Sequence, residues 1–231
     1  MFIISEIFPQ HGGSLQVAEQ MILQSKLGGA DAVKVQLYPA SMFPGADGAS
    51  RDYLELDFDG LKRLKAYADQ VGIAFFGTPF DFERLDWCLK LDLPYLKTAA
   101  RTNRENPALV QAMLDTGKPV VLSVPSDMHF DEVPHAKQAI YLYCVMKYPA
   151  FLEDMKMPDF KNSPYHGLSD HSIGIAAALW AFAHGAKYLE KHFTLSHGDQ
   201  CGTEQAHVGS MTYDELVQIH RTGRHMERLC R

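Results

Sequence analysis

Two imidazoles, His171 in Gly167-Leu-Ser-Asp-His-Ser172 and His192 in Glu190-Lys-His-Phe193, carry the residue types in this chain most open to chemistry. Each ends a short strand-like run, with one helix-like segment between them. Side chains alternate along a strand, so Ser169 shares a face with His171 and Glu190 with His192. By the same rule Glu6 shares a face with Ile4, Lys34 with Gln36, and Lys97 with Ala99. Neighbouring strands lie about 4.8 Å apart, so imidazoles at matched heights can share one divalent ion. For either histidine alone, the alternative is a hydrogen bond to a neighbouring loop. Lys34 and Lys97 read either as salt-bridge partners at a rim or, if buried on inward faces, as ligands for an anion such as phosphate. Together these residues predict an anionic substrate beside a metal.

The elements that must hold them follow in order. A strand over Phe2 to Phe8 leads through a turn at Gly12-Gly13 to Ser14, which caps an amphipathic helix to Leu27 closed by Gly28-Gly29. Ala32 to Leu37 is a second strand, and Pro39 to Asp57, rich in Gly, Pro, Ser and Asp, is a long loop of the kind that contributes to sites. A helix runs from Phe58 to about Val71. Strands at Ile73 to Gly77 and Tyr95 to Ala99 bracket a helix at Phe82 to Leu91. Asn106 caps a helix with Pro107 at its first position, ending near Thr116. Pro119 to Val124 and Ala139 to Val145 are the fifth and sixth strands, and the segments after them, 125–138 and 150–165, are weak in helical pattern. A helix at 172–184, a strand at 187–193 and a helix from Tyr213 onward complete the series.

Eight short apolar strands alternating with helices or their remnants imply a minimal (β/α)8 TIM barrel, with shortened helical segments after strands 5 and 6. One domain over residues 1–231 is expected, since no linker divides the chain. In such barrels the chemistry sits at the C-terminal ends of the strands, where the Glu, Lys, Ser and His residues above converge. The competing topology is a doubly wound open sheet, disfavoured because no GxGxxG follows the first strand. Phe75, Phe76 and Phe80 read as core and pocket wall, and His197, His220 and His225 as surface residues.

Composition narrows the function classes. A net charge of −6 argues against a nucleic-acid partner, which a basic face would meet. With 46% hydrophobic and 22% charged residues there is no apolar run of about 20 residues to cross a membrane. Met1 leads directly into a strand-like run with no basic leader, so a cytoplasmic location is expected. Cys88, Cys144, Cys201 and Cys230 show no CxxC spacing, and reduced thiols are the simplest account.

Several segments resemble the sialic acid synthase (N-acetylneuraminate synthase) family, which includes the pseudaminic and legionaminic acid synthases. They are Glu6 to Ser14, Gly29-Ala-Asp-Ala-Val-Lys-Val-Gln36, Gly77-Thr-Pro-Phe-Asp81, Leu96-Lys-Thr-Ala99 and Thr116-Gly-Lys-Pro-Val-Val-Leu-Ser123. Tyr143-Cys-Val-Met-Lys-Tyr-Pro149, Gly167-Leu-Ser-Asp-His-Ser-Ile-Gly174 and Glu190-Lys-His-Phe-Thr194 continue the likeness, in register over nearly the whole chain. The resemblance implies condensation of phosphoenolpyruvate with an open-chain N-acylated aldose such as N-acetylmannosamine, releasing phosphate. It implies His171 and His192 as ligands of a divalent metal, Mn2+ first and Mg2+ or Co2+ as alternatives. Lys34, Lys97, Ser123 and Ser169 would meet phosphoenolpyruvate. Gln36 and Tyr148 would face the sugar, His207 would contact substrate, and Glu6 and Glu190 would be the catalytic carboxylates.

The chain also departs from the family pattern. Gln10-His-Gly-Gly13 stands for Asn-His-Asn-Gly, Lys97-Thr-Ala-Ala100 for Lys-Ile-Ala-Ser, and Met146 for an Asn. Ala206-His-Val-Gly-Ser210 stands for Asp-His-x-x-Ser, with Glu204 nearby as a replacement acid. The sequence reaches Arg231 where relatives continue into a small antifreeze-like domain, so the expectation is a barrel without that cap. A homodimer or a separate cap protein is the partner this leaves room for. Ala100, Met146 and Ala206 keep open a non-catalytic or cap-dependent sugar- or phosphate-binding barrel. Another metal-dependent barrel lyase or aldolase is the third reading.

Overall fold

A computed structural model describes residues 1–42, 51–200 and 208–229. Eight parallel strands close into a barrel in strict sequence order. They are β1 (Phe2–Glu6), β2 (Ala32–Leu37), β3 (Ala74–Pro79), β4 (Leu96–Thr98), β5 (Val120–Pro125), β6 (Ala139–Cys144), β7 (Gly167–Asp170) and β8 (Tyr188–His192). The helices are α1 (Leu15–Gly28), α2 (Phe58–Val71), α3 (Phe82–Lys90), α4 (Thr102–Glu105), α5 (Pro107–Asp115), α6 (Ala176–Ala183) and α7 (Tyr213–Leu229). The barrel expected from the alternation is therefore present, and the open-sheet alternative is excluded by the pairing of β1 with β8.

The strands are buried on both faces, which explains their near-continuous apolar character. Outward-facing Ile3, Val33, Phe75, Leu122, Leu168 and Leu189 are buried beneath the helical layer. Inward-facing aromatic rings fill the N-terminal end of the barrel. Phe2 lies 5.7 Å from Tyr95 and 5.5 Å from Tyr188, centroid to centroid, and Phe76 lies 5.5 Å from Tyr95. This floor seals the barrel below the polar residues at its other end and lowers the local dielectric there.

Local signals set the helices. Ser14 accepts a hydrogen bond from the Val17 N–H, Asp57 from Gly60, Asp81 from Arg84 and Asn106 from Leu109, four side-chain caps at four helix starts. Gly29 closes α1 at φ 98°, and a Cβ there would strike the His220 ring. His220, expected at the surface, is consequently half-buried between α7 and the end of α1. After β5 and β6 the described chain forms only short 3-10 turns, Phe130–Glu132 and Leu152–Asp154, as the weak pattern there predicted.

Several boundaries differ from expectation. β1 ends at Glu6, and its carboxylate accepts the Phe8 N–H at 2.8 Å, which turns the chain out of the sheet. The helix expected from residue 172 starts at Ala176, because the Ser172 N–H and hydroxyl both donate to Asp170 Oδ1, at 2.8 and 2.7 Å. α4 was not anticipated. No helix among the described residues is long and apolar enough to cross a membrane.

Candidate active site

The C-terminal ends of the strands converge on one deep cleft. Lys34 and Gln36 of β2, Thr78 of β3, Lys97 of β4, Ser123 of β5, Cys144 of β6, Ser169 and His171 at β7, and Glu190 and His192 of β8 all line it. Period-two alternation along each strand puts them there, and the barrel's closure brings together residues from opposite ends of the sequence.

Four charges form the base of the cleft. Lys34 pairs with Glu6 and lies 3.3 Å from Glu190 Oε1, and Lys97 lies 3.4 Å from Glu190 Oε2. Lys34 donates to Thr78 Oγ1 at 2.9 Å, and Lys97 donates to Ser123 Oγ at 2.7 Å and the Thr98 carbonyl at 2.6 Å. Both lysines are 2% exposed, so each charge depends on these partners. Burial raises the Glu6 carboxyl above its ordinary range by more than Lys34 lowers it, and Glu190 nearby adds to the rise. Glu190 goes the other way: burial is outweighed by Lys34 and Lys97 together, and its carboxyl is held low. Lys97 is pushed down by burial against the pull of Glu190, whereas for Lys34 the two carboxylates overcome burial and raise it. The lysines are therefore ion-paired, but buried on inward faces rather than standing at a rim.

The two imidazoles stand beside this group with ring centroids 5.8 Å apart. His171 Nδ1 lies 3.0 Å from the Val145 carbonyl and His192 Nδ1 lies 3.0 Å from the Phe8 carbonyl. A carbonyl only accepts, so Nδ1 of each ring carries the proton and the lone pair sits on Nε2. That is the orientation a metal-binding histidine adopts when a backbone group fixes its tautomer. Among the described residues no third His, Cys, Asp or Glu completes a metal-binding cluster with them. The Tyr148 ring stands 4.1 Å from that of His171 and 6.4 Å from that of His192, at the mouth of the cleft.

The cleft opens into a wider cavity of about 350 Å3 lined by Gln36, Tyr148 and His192 together with Tyr38, Phe80, Met146 and two arginines, Arg51 and Arg101. Of the residues singled out from sequence, Glu6, Lys34, Gln36, Lys97, Ser123, Tyr148, Ser169, His171, Glu190 and His192 are thus gathered in one place. His207 lies outside the described residues, as do Glu204 and Ala206. Gln10 reaches the same late segment, donating from Nε2 to Ser210 Oγ at 3.0 Å. Thr78, Cys144, Arg51 and Arg101 were missed. Thr78 was legible, since it lies on the inward face of β3 one strand from Lys34; the arginines sit in connections whose course no periodicity reveals.

Comparisons with known proteins point to one family. The profile of the NeuB family matches residues 21–230. An uncharacterized protein, MJ1065, of Methanocaldococcus jannaschii is 34% identical over 213 residues, 84% of this chain and 62% of its own length. The N-acetylneuraminate-9-phosphate synthase of Homo sapiens is 30% identical over 259 residues, 98% of this chain and 70% of its own. The crystal structure of N-acetylneuraminic acid (sialic acid) synthetase from Leptospira borgpetersenii serovar Hardjo-bovis, in complex with citrate, superposes with a TM-score of 0.89 at 29% identity, covering 99% of this chain and 84% of that one. The chain therefore spans about two thirds of the curated relatives it matches.

Proposed function

The chain belongs to the NeuB family, and on that premise we propose that it condenses phosphoenolpyruvate with an open-chain N-acylated aldose, N-acetylmannosamine-like, to give a sialic-acid-type nonulosonic acid and phosphate. The observation that carries this reading is the buried pair Lys34 and Lys97, each backed by a hydroxyl, beside two imidazoles whose tautomers are fixed by backbone carbonyls. Two such rings fit a divalent ion with open positions for water and substrate oxygen. His171 and His192 would hold it, Mn2+ first and Mg2+ or Co2+ otherwise, and its chemistry there is to polarise the acceptor's aldehyde.

The protein's own groups account for the rest. Lys34, Lys97, Thr78, Ser123 and Ser169 orient the phosphoenolpyruvate, placing its enol carbon for attack on the aldehyde carbon. The new C–C bond leaves a positive centre at the carbon bearing the phosphate ester, and water adds there. A carboxylate takes that water's proton. Glu6 suits this role because burial raises its proton affinity, whereas Glu190 stays anionic between the lysines and steadies the developing positive charge. Collapse of the adduct breaks the C–O bond to phosphate, the adduct's hydroxyl proton leaves with the phosphate, and the proton held by the carboxylate goes to the former aldehyde oxygen, leaving the hydroxy keto acid. The aromatic floor keeps bulk water from the base of the site.

The test is phosphate release from phosphoenolpyruvate with Mn2+ and a panel of aldoses. Release is expected only with a true acceptor present. His171→Ala and His192→Ala should each remove calorimetric Mn2+ binding as well as turnover. Phosphoenolpyruvate binding without turnover on any acceptor would instead support a non-catalytic barrel, the reading that Ala100 and Met146 favour.

A further inference from the structure

The α6 helix reads Ala-Ala-Ala-Leu-Trp-Ala-Phe-Ala and holds no polar side chain. Ala177, Ala178, Ala181 and Phe182 are buried against the barrel, yet the opposite face is equally apolar and leaves Trp180 38% exposed. A helix apolar all round is one covered on both sides. Beside α6, the chain after β6 forms only the short turn Leu152–Asp154 in place of a helix. A groove of about 360 Å3 is left between Leu152, Met155 and Met157 on one wall and Ala176, Ala177 and Trp180 on the other. The bridge between Ala150 and Ser172 ties the two walls at one end, and the residues that follow it, Phe151 and Ile173, project to solvent, 58% and 56% exposed. We infer that this face is a two-fold contact with a second copy of the chain, in which Phe151 of each copy enters the groove of the other. The inference is independent of the condensation proposed above.

Shape and charge both select a second copy over another partner. A two-fold contact pairs a surface with itself, so one face must supply projection and recess together. Phe151 and the groove are such a pair. The chain carries −6 overall, so two copies repel except across a neutral surface. Over 146–161, Lys147, Lys156 and Lys161 balance Glu153, Asp154 and Asp159, and 172–183 holds no charged residue. Lys147 and Asp154 already pair at 2.7 Å, so neither asks for an outside counter-charge. A strongly basic or acidic partner finds no net charge to meet here. The size is sufficient as well: about twenty residues of the two segments reach the surface, one side of a standard-size interface.

The experiment is sedimentation velocity on the parent chain, Phe151→Glu, Ile173→Glu and, as a control on α1 where Leu27 is 64% exposed, Leu27→Glu. The parent and the control should sediment at twice 25.9 kDa at micromolar concentration. Each face variant should raise the dissociation constant by ~30-fold or more, since it buries a carboxylate without a partner. All three positions are exposed, so the variants should fold, and far-ultraviolet circular dichroism checks this. In the parent alone, amide exchange over 150–157 and 173–183 should slow as concentration rises. A parent that stays monomeric to ~100 µM overturns the inference, as does a dimer that Leu27→Glu breaks and the face variants leave intact. A mass above the dimer also overturns it, because an isologous contact closes at two copies. Recovery of a different protein bound to the parent and lost from both face variants would give the face to another occupant and overturn it too.

Discussion

His11 shows how a single residue carries a pH dependence. It is 6% exposed, and its Nδ1 accepts the Gly13 N–H at 3.0 Å, so the folded ring is neutral and uses the lone pair that a proton would occupy. Burial pushes its pKa down to about 4 from an ordinary 6.5. Between those two values the unfolded chain binds a proton that the folded chain refuses. Stability from this residue therefore falls as pH drops from 6.5 to 4, by about 3 kcal/mol in all, and levels off below. Urea melts across that window should show the slope. His11→Asn, which keeps an acceptor for the Gly13 N–H without a titrating ring, should flatten the curve relative to the parent; an unchanged slope would assign it to other groups.

At the scale of elements, the important contact lies behind the site. Asp170 and Lys191 are register partners on β7 and β8, each one position before a site histidine, and both side chains are fully buried on the outward face. Lys191 donates to Asp170 Oδ2 at 2.8 Å and to the Ser172 carbonyl at 2.6 Å. The pair pins the two strand ends at the height that sets His171 beside His192. Lys191→Met leaves a buried carboxylate unpaired and should cost about 3–5 kcal/mol in denaturant melts, whereas Asp170→Leu with Lys191→Met should recover most of it. A double variant as unstable as the single one would show that packing, not charge, decides there. Gly167 constrains the same strand pair, since a Cβ on it would collide with the Tyr188 backbone.

For the whole molecule, closure of the barrel in sequence order makes every strand a neighbour of two others, with no free edge. The expected consequence is one cooperative unfolding transition. Trp87 on α3 and Trp180 on α6 report from different parts of the helical layer, so fluorescence and far-ultraviolet circular dichroism should give coincident curves. Separate transitions would mean that part of the barrel folds as its own unit. Leu122, fully buried on the outward face of β5, tests the packing of that layer: Leu122→Ala should cost about 2–5 kcal/mol, a fall in Tm of roughly 5–15 °C.

The sequence by itself determined the eight-fold alternation, the helix caps at Ser14 and Asn106 and the strand ends on which Lys34, Lys97, His171 and His192 stand. These follow from short-range rules, the period of two along a strand and the donor needs of a helix terminus, which act within a few residues. The family motifs added Ser123 and Tyr148. Only the tertiary structure decided which charges share a field. Glu6 and Glu190 are both acids at strand ends, yet closure sets Glu190 between two lysines and Glu6 beside one, and their proton affinities part in opposite directions. It also decided that both histidines present Nε2, because the carbonyls of Phe8 and Val145 that fix Nδ1 come from other strands' loops. Arg51 and Arg101 reach one cavity for the same reason. Electrostatic coupling and tautomer choice depend on distance in space, and in a closed barrel that distance bears little relation to separation along the chain.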